Sequence, residues 1–248
     1  MRYRFLYEQL VRRELRQKYQ GSILGVLWYV VNPLVLMGAY WLMFGYVFKV
    51  VSHPDYPLFL MVGLLVWLFF SQSLLSAAAS LLDQGALIRK ARFPREVIPA
   101  AVVTVQLVTF LAVLALVSVL TVAVRGTLGA PLVLLPVLVA ALFAFALGLA
   151  LAVSVLHAHF RDVGPILSAV LLPWFFVSPI FYAPDEVSPA LRWANPIAPF
   201  IETVRDVIYG GAWPDAASLL YVAAAAGIAL AGGVWLFRRL ESELAVVV

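Results

Sequence analysis

Six long segments without a single Asp, Glu, Lys or Arg constrain the fold of this chain most strongly. Each exceeds the roughly 20 residues that an α-helix needs to cross about 30 Å of hydrocarbon. Backbone N–H and C=O groups find no water there, so such segments must form helices, in which these groups hydrogen-bond to one another. We predict an all-α integral membrane protein, one transmembrane domain over residues 1–248. Its six transmembrane helices are expected over about 26–48, 57–79, 97–124, 132–156, 165–182 and 216–237.

Composition supports this class. Hydrophobic residues make up 64% of the chain and charged residues 12%, and the mean hydropathy is +1.00. Soluble domains are about half apolar and about a quarter charged, so an ordinary soluble domain is excluded. The chain has no cysteine, which excludes disulfides, thiolate metal sites and a thiol nucleophile. Its N-terminal residues lack the apolar core and cleavage site of a signal peptide, so we expect the first span to target the chain.

Basic residues indicate the orientation. Of the 17 Lys and Arg residues, 13 fall in segments on the same side as the N-terminus and 4 on the other side. Cytoplasmic loops carry such an excess, so both termini are predicted to be cytoplasmic. The net charge of +4 then reflects loops that face anionic lipid.

Uncharged spans limit the possible functions. Ion-coupled carriers and intramembrane hydrolases usually keep a charged or acid/base residue at mid-membrane depth, so both classes are disfavoured. The amides of Asn32, Gln72 and Gln106 remain as possible ion ligands. His157 and His159 lie two positions apart, on different sides of a helix, and we predict no metal site. No G-x-x-x-x-G-K-[ST] phosphate loop occurs, so an ATPase would have to be another polypeptide.

Polar and small residues recur every four positions within the spans. Gln72, Ser76 and Ser80 form a stripe that either hydrogen-bonds a neighbouring helix or lines a pore. Small residues at this spacing allow helices to approach closely. They are Ala140, Ala144, Gly148 and Ala152 in the fourth span, and Ala223, Gly227 and Ala231 in the sixth.

Two cytoplasmic segments are predicted to be helices that do not span. Residues 2–20 combine an apolar and a basic face, which is typical of a helix lying in the membrane interface. A capping box from Ser80 to Asp83 predicts the start of a second, short helix over about 81–92. Pro94 disfavours helical geometry at Phe93 and so ends it. The alternative is a solvated basic loop.

An outer segment over about 197–209 also shows helical spacing of apolar residues, and Gly210 and Gly211 end it. It is too short to span, so we predict a surface or half-inserted helix. Pro173 and Pro179 precede it and predict that the fifth span bends or ends near Ser178.

Several short motifs, in order, resemble the membrane subunit of ABC exporters for cell-surface polysaccharides, a family that includes O-antigen and teichoic-acid permeases. The first is RELRQKYQGSILGVLW at 13–28, which leads into the first span, followed by Asn-Pro at 32–33. The others are FRDV at 160–163, SPIFY at 178–182 and Asn-Pro at 195–196.

The resemblance implies roles for the non-spanning segments. The helix over 81–92 would be a coupling helix in a cleft of the ATPase subunit, and the 161–162 loop a second contact. The interfacial helix would be a cytoplasmic gate near the pyrophosphate of a lipid-linked substrate, and the 197–209 helix an outer gate. The ATPase-coupling residues implied are Asp83, Gln84, Gly85, Ala86, Leu87, Ile88, Arg89, Lys90, Arg161 and Asp162. The gate residues are Tyr3, Tyr7, Arg12, Arg13 and Arg16 at the cytoplasmic side and Phe200, Glu202 and Arg205 at the outer side.

The resemblance further implies a homodimer in a prokaryotic cell membrane, with two ATPase subunits that hold ATP and Mg²⁺. This chain would bind a lipid-linked glycan, no cofactor and no nucleic acid. Trp28, Tyr29, Tyr40 and Phe44 would line a substrate tunnel, since aromatic faces stack on sugar rings; membrane-interface belts are the alternative. Two other functions stay open: export of a drug or lipid by a related permease, and a membrane-embedded transferase or scaffold.

Overall fold

The computed structural model describes residues 2–17, 25–47, 55–90, 93–126, 129–182 and 189–244. Every regular element within these ranges is a helix. The α-helices are α1 (Arg2–Gln17), α2 (Trp28–Tyr40), α3 (Tyr56–Asp83), α4 (Gly85–Lys90), α5 (Val97–Arg125), α6 (Leu135–His159), α7 (Val163–Val177), α8 (Pro189–Ala194), α9 (Ala198–Arg205) and α10 (Ala216–Leu240).

Four of these helices, α3, α5, α6 and α10, are long and apolar enough to cross a membrane. They correspond to the second, third, fourth and sixth predicted spans, with 3₁₀ residues Ala130–Leu134 leading into α6. Large apolar side chains such as Val119 and Ile228 remain exposed on α5 and α10, as expected of surfaces that face lipid. The chain is therefore a multi-pass membrane protein.

The first and fifth predicted spans are shorter apolar helices. In the first, a 3₁₀ turn precedes α2, Pro33 lies inside α2, and Trp41–Val47 continue it as a π-helix. In the fifth, α7 has 15 residues and so covers only about 22 Å. It ends where Ser178 turns to an extended conformation before Pro179, as the sequence predicted. Two of the six predicted spans thus fall short of a regular membrane-crossing α-helix.

The capping-box prediction is wrong. The Ser80 hydroxyl donates back to the Ala77 carbonyl at 2.7 Å, and α3 runs on to Asp83. The break comes at Gln84, whose backbone leaves the helical region. The predicted 81–92 helix is therefore the end of α3 plus the six residues of α4, and residues 91–92 lie outside the described ranges, as do 18–20 of the predicted interfacial helix.

Close packing of α6 against α10 depends on two glycines. A Cβ on Gly148 would overlap the Ala229 carbonyl, and one on Gly233 would overlap the Gly148 carbonyl. The small-residue stripe of α6 is confirmed at Gly148. In α10 the close approach to α6 is made by Gly233, whereas the predicted stripe of Ala223, Gly227 and Ala231 is exposed and faces away from α6.

The predicted outer segment is inside the protein. All eight residues of α9 are buried, and the helix packs against α3, α6 and α10. The predicted surface or half-inserted helix is therefore wrong in its placement, since the polar face of α9 finds internal partners. Asp206–Gly210 continue α9 as a π-helical turn, which ends at Gly211 with a φ of 59°.

Candidate functional site

The predicted coupling residues lie on two faces of the α3–α4 junction. Ile88 is buried in an apolar cluster beneath α4, and Gln84 and Gly85 are buried beside it, with Leu87 half-buried. The cluster also contains Leu10, Leu81, Ile98, Ala101, Leu151, Val155, Ala158, Phe237 and Leu244. The predicted coupling residues on the exposed face of the junction are Asp83, Ala86, Arg89 and Lys90. The Ile88 side chain therefore packs into the bundle and is not part of the surface that α4 exposes.

Gln84 connects the predicted coupling segment to α1. Its Oε1 accepts a hydrogen bond from Arg13 Nη1 at 3.1 Å, and its Nε2 donates to Glu14 Oε1 at 3.3 Å. Its carbonyl accepts the backbone N–H groups of Leu87 and Ile88, so the same residue begins α4. Sequence reasoning missed this bridge because its partners are about 70 positions apart; an amide at a helix break was the available signal.

The predicted gate helix α1 packs onto the bundle through its apolar face. Leu10 is buried, and the Tyr7 hydroxyl hydrogen-bonds the Thr104 hydroxyl of α5. The basic face, with Arg12, Arg13 and Arg16, is exposed. Tyr3 lies on α1, but its side chain is outside the described part of the chain, as is that of Tyr29 on α2. The amphipathic prediction for this helix is confirmed over Arg2–Gln17.

The second predicted inner loop exposes Arg161 and Asp162 between α6 and α7. Beside it, His157 Nδ1 accepts the Gly164 backbone N–H at 3.0 Å. A Cβ on Gly164 would lie 2.8 Å from the His157 ring, so a larger residue there would displace that ring. Among the described residues, no three His, Asp or Glu side chains group as a metal site.

The predicted tunnel aromatics are in two places. Tyr40 packs against Phe175 and Phe181, with ring centroids 5.4 and 5.3 Å apart, and Phe44 lies 4.4 Å from Phe181. These contacts join α2 to the end of α7. Trp28 instead lines a cavity of about 200 Å³ between α2, α3 and α5, away from that cluster.

Arg205 is the most constrained charged residue of the predicted outer end. It is 4% exposed, and its Nη1 and Nη2 donate to the carbonyls of Pro179 and Ile180 at 2.8 and 3.2 Å. Its guanidinium lies 3.7 Å from the ring centroid of Phe59. Burial lowers the pKa of Arg205 to about 10, which leaves it charged at neutral pH. Gly63 gives it room, since a Cβ there would overlap Nη2.

Glu202 and Phe200 are buried with it. Arg192 approaches Glu202 Oε2 through Nη2 at 2.6 Å and Nε at 2.7 Å. Burial raises the pKa of Glu202, and Arg192 opposes that shift. Phe200 stacks on Phe145 with a centroid separation of 4.7 Å. The three predicted outer-gate residues are thus brought together, but inside the protein, where Arg205 holds the turn after α7.

Asn195 connects the end of α7 to the segment that precedes α9. Its Oδ1 accepts from Trp174 Nε1 at 2.8 Å, and its Nδ2 donates to Ser178 Oγ at 3.1 Å. Sequence reasoning singled out the Asn-Pro and Ser-Pro motifs but not their contact. Arg192 and Asn195 are therefore structural residues that the sequence did not reveal as partners.

The structure is an apolar helix bundle with an exposed, charged junction at one end and a buried, ion-paired turn at the other, which is the architecture of a multi-pass membrane protein. Residues 6–209 match the ABC-2 type transporter family. An O-antigen export system permease protein from Myxococcus xanthus is 35% identical, covering 98% of this chain and 95% of the relative.

Other relatives are similar over most of their length. An O-antigen export system permease protein from Klebsiella pneumoniae is 30% identical over 84% of this chain and 82% of its own. A polysialic acid transport protein from Escherichia coli is 26% identical over 96% of this chain and 94% of its own. The chain belongs to the ABC-2 type transporter family, as its sequence motifs indicated.

Proposed function

We propose that this chain is the transmembrane subunit of an ABC exporter that moves a lipid-linked cell-surface polysaccharide outward from the cytoplasmic side. The observation that carries the proposal is the similarity over nearly the whole chain to permeases named for O-antigen and polysialic acid transport. Both of those cargoes are polysaccharides. An O-antigen or teichoic-acid type of glycan is therefore the cargo that the resemblance favours here.

In this proposal, ATP hydrolysis occurs on a separate nucleotide-binding subunit, which holds ATP and Mg²⁺. Its contact surface is the exposed face of the α3–α4 junction, with the 161–162 loop as a second contact. The basic side chains of Arg89 and Lys90 protrude there while Ile88 anchors α4 to the bundle. A force on α4 therefore reaches α1 through Gln84 and the apolar cluster.

The exposed arginines of α1 face the pyrophosphate of the lipid-linked substrate at the cytoplasmic side. Guanidinium groups form charge-assisted hydrogen bonds with phosphate oxygens, and Arg12 and Arg16 are exposed for that contact. Two copies of the chain assemble with two ATPase subunits, both termini are cytoplasmic, and the glycan passes aromatic side chains such as Tyr40 and Phe44.

A complementation experiment tests the proposal. A strain that lacks the chain should lose its surface polysaccharide and regain it on expression of the wild-type chain. The purified chain should bring with it a nucleotide-binding protein whose ATPase activity supports glycan export in proteoliposomes. Unchanged surface glycan with altered drug or lipid efflux would reassign the cargo, and full activity of the chain without any ATPase would overturn the exporter assignment.

A further inference from the structure

Polar side chains from three different helices converge on one open cavity at the side of the bundle, where Asn32 and Gln72 are exposed and Gln106 is buried. The cavity measures about 200 Å³. Its polar members are Asn32 of α2, Gln72 of α3, and Gln106 and Thr109 of α5, and Trp28 lies at its rim. Its other walls are Pro33, Leu36, Leu65, Leu68, Phe69, Phe110 and Val113.

The cavity lies deep in the transmembrane region. Gln72 stands 11 residues before the end of α3, and Gln106 stands 9 residues after the start of α5. At 1.5 Å per residue these positions are about 17 and about 14 Å from the helix ends, near the middle of a hydrocarbon layer of about 30 Å. Lipid tails offer no hydrogen bond at that depth, and an amide without a partner there is costly.

The lining selects an uncharged ligand. Amides donate and accept hydrogen bonds, a hydroxyl does both, and none of the described lining residues is Asp, Glu, Lys or Arg. Gln106 Nε2 donates to Ser76 Oγ at 3.0 Å, which fixes the orientation of the Gln106 amide beside the cavity. Uncharged hydrogen-bonding groups beside aromatic and aliphatic faces match the two kinds of surface on a sugar ring, its hydroxyl groups and its C–H face.

The recess of this cavity is large enough for one ring. An apolar cavity of about 150 Å³ admits a benzene molecule, so about 200 Å³ holds a single six-membered ring with a few hydroxyl groups. We propose that this cavity binds one uncharged glycosyl unit of the exported glycan. The proposal rests on the polysaccharide-export function and gives that function a defined subsite between α2, α3 and α5.

A second cavity lies nearer the proposed cytoplasmic end. It measures about 260 Å³ and lies among α1, α3 and α5, with Glu14, Ser80, Asp83 and Gln84 in its lining. Ser76 also lines it, so the Ser76–Gln106 hydrogen bond lies between the two cavities. Of the stripe considered from the sequence, Ser76 hydrogen-bonds a neighbouring helix, Gln72 lines the first cavity, and Ser76 and Ser80 line the second.

Adjacent cysteine substitutions on α5 test the site in the assembled complex. The natural chain has no cysteine, so each variant carries one thiol. Thr109→Cys places it in the cavity, and Val108→Cys, its matched control, places it on an apolar surface that is 44% exposed. The two positions differ in depth by about 1.5 Å.

We expect a hydrophilic, membrane-impermeant methanethiosulfonate added from the cytoplasmic side to label Thr109→Cys at least about tenfold faster than Val108→Cys. Maltotriose at high concentration should slow the labelling of Thr109→Cys, while equimolar inorganic phosphate should not. Equal labelling rates at the two positions would overturn the proposal. So would faster labelling of Thr109→Cys by a hydrophobic maleimide with no sugar protection, because lipid would then fill the cavity.

Export by leucine variants distinguishes an error in the proposed subsite from an error in the proposed exporter function. Gln72→Leu and Gln106→Leu should each lower surface glycan at least about fivefold at equal membrane levels, whereas Val108→Leu should not. If deletion of the whole chain abolishes surface glycan but the leucine variants export normally, the exporter assignment stands and the subsite is wrong. If deletion leaves the glycan unchanged, the proposed function itself is wrong.

Discussion

The two ends of the bundle differ in whether their charged side chains are exposed or buried. At the proposed cytoplasmic end, Asp83, Arg89 and Lys90 are exposed on α3 and α4. At the other end, Glu202 and Arg205 are buried, and their partners belong to this chain. The exposed charges on α3 and α4 are thus accessible to another protein, whereas Arg205 holds the turn after α7 in place. The difference predicts that outer substitutions reduce stability and inner substitutions reduce coupling.

The largest effect is expected for Arg205→Met. It removes the donors to Pro179 and Ile180 and leaves Glu202 and Asp206 without that positive charge. Breaking a buried ionic arrangement by removing one member costs about 3–5 kcal/mol. Thermal unfolding of the purified complex should show this loss. Arg125→Met, which removes an exposed guanidinium 4.1 Å from the Tyr209 ring centroid, should cost under about 1 kcal/mol; equal losses would contradict the comparison.

Gly63→Ala should come next. Its Cβ would overlap Arg205 Nη2 and lie 3.3 Å from the Ile180 Cα, and such overpacking typically costs about 1–3 kcal/mol. The cost should shrink when Arg205→Met has already removed the overlapping guanidinium, which a double-mutant cycle measures. Gly227→Ala is the control, because no atom of the described residues lies within 4 Å of its added Cβ. Additive losses at Gly63 and Arg205 would show that the two do not share one packing site.

Charge reversal at the inner surface should weaken the contact with the ATPase subunit more than it changes stability. Arg89→Glu with Lys90→Glu is expected to weaken binding of the ATPase subunit about tenfold, equivalent to about 1.4 kcal/mol, because both side chains are exposed on α4. Co-purification of the subunit and glycan exported per ATP hydrolysed measure the effect. Arg239→Glu is the control, because Arg239 is also exposed and its guanidinium lies 5.3 Å from the ring centroid of Trp235 on its own helix. Unaltered co-purification and export would remove α4 from the proposed contact.

The smallest effect is expected for Gln84→Ala. It deletes the hydrogen bonds to Arg13 and Glu14, and a typical intramolecular hydrogen bond contributes about 1 kcal/mol. We expect a loss of at most about 1 kcal/mol, because Arg13 is exposed and Glu14 half-buried and both can then bond water. More ATP should be hydrolysed per glycan exported, since α1 no longer follows α4. Glu8→Gln, which weakens only the exposed pair with Arg4 on α1, should behave as wild type. Unchanged coupling in Gln84→Ala would mean that the apolar cluster alone connects the two helices.

Sequence patterns determined which segments are apolar helices because long uncharged runs have few alternatives in a membrane. They placed α3, α5, α6 and α10 to within a few residues, and they located the break at Ser178 from its prolines. They also identified α1 and the family. The same patterns gave the wrong start for the short inner helix, because a capping box uses residues that also fit the interior of a continuous helix.

Tertiary structure alone decided what the polar residues contact. Amphipathic spacing placed Glu202 and Arg205 on one side of α9, but only the fold provides Arg192, the carbonyls after α7 and the space at Gly63 that let this side be buried. Likewise, Asn32, Gln72 and Gln106 meet at one cavity although they are far apart along the chain. Hydrophobicity depends on local composition, so it can be read along the sequence. Hydrogen bonds join groups that are far apart in the sequence, so only the packed structure shows them.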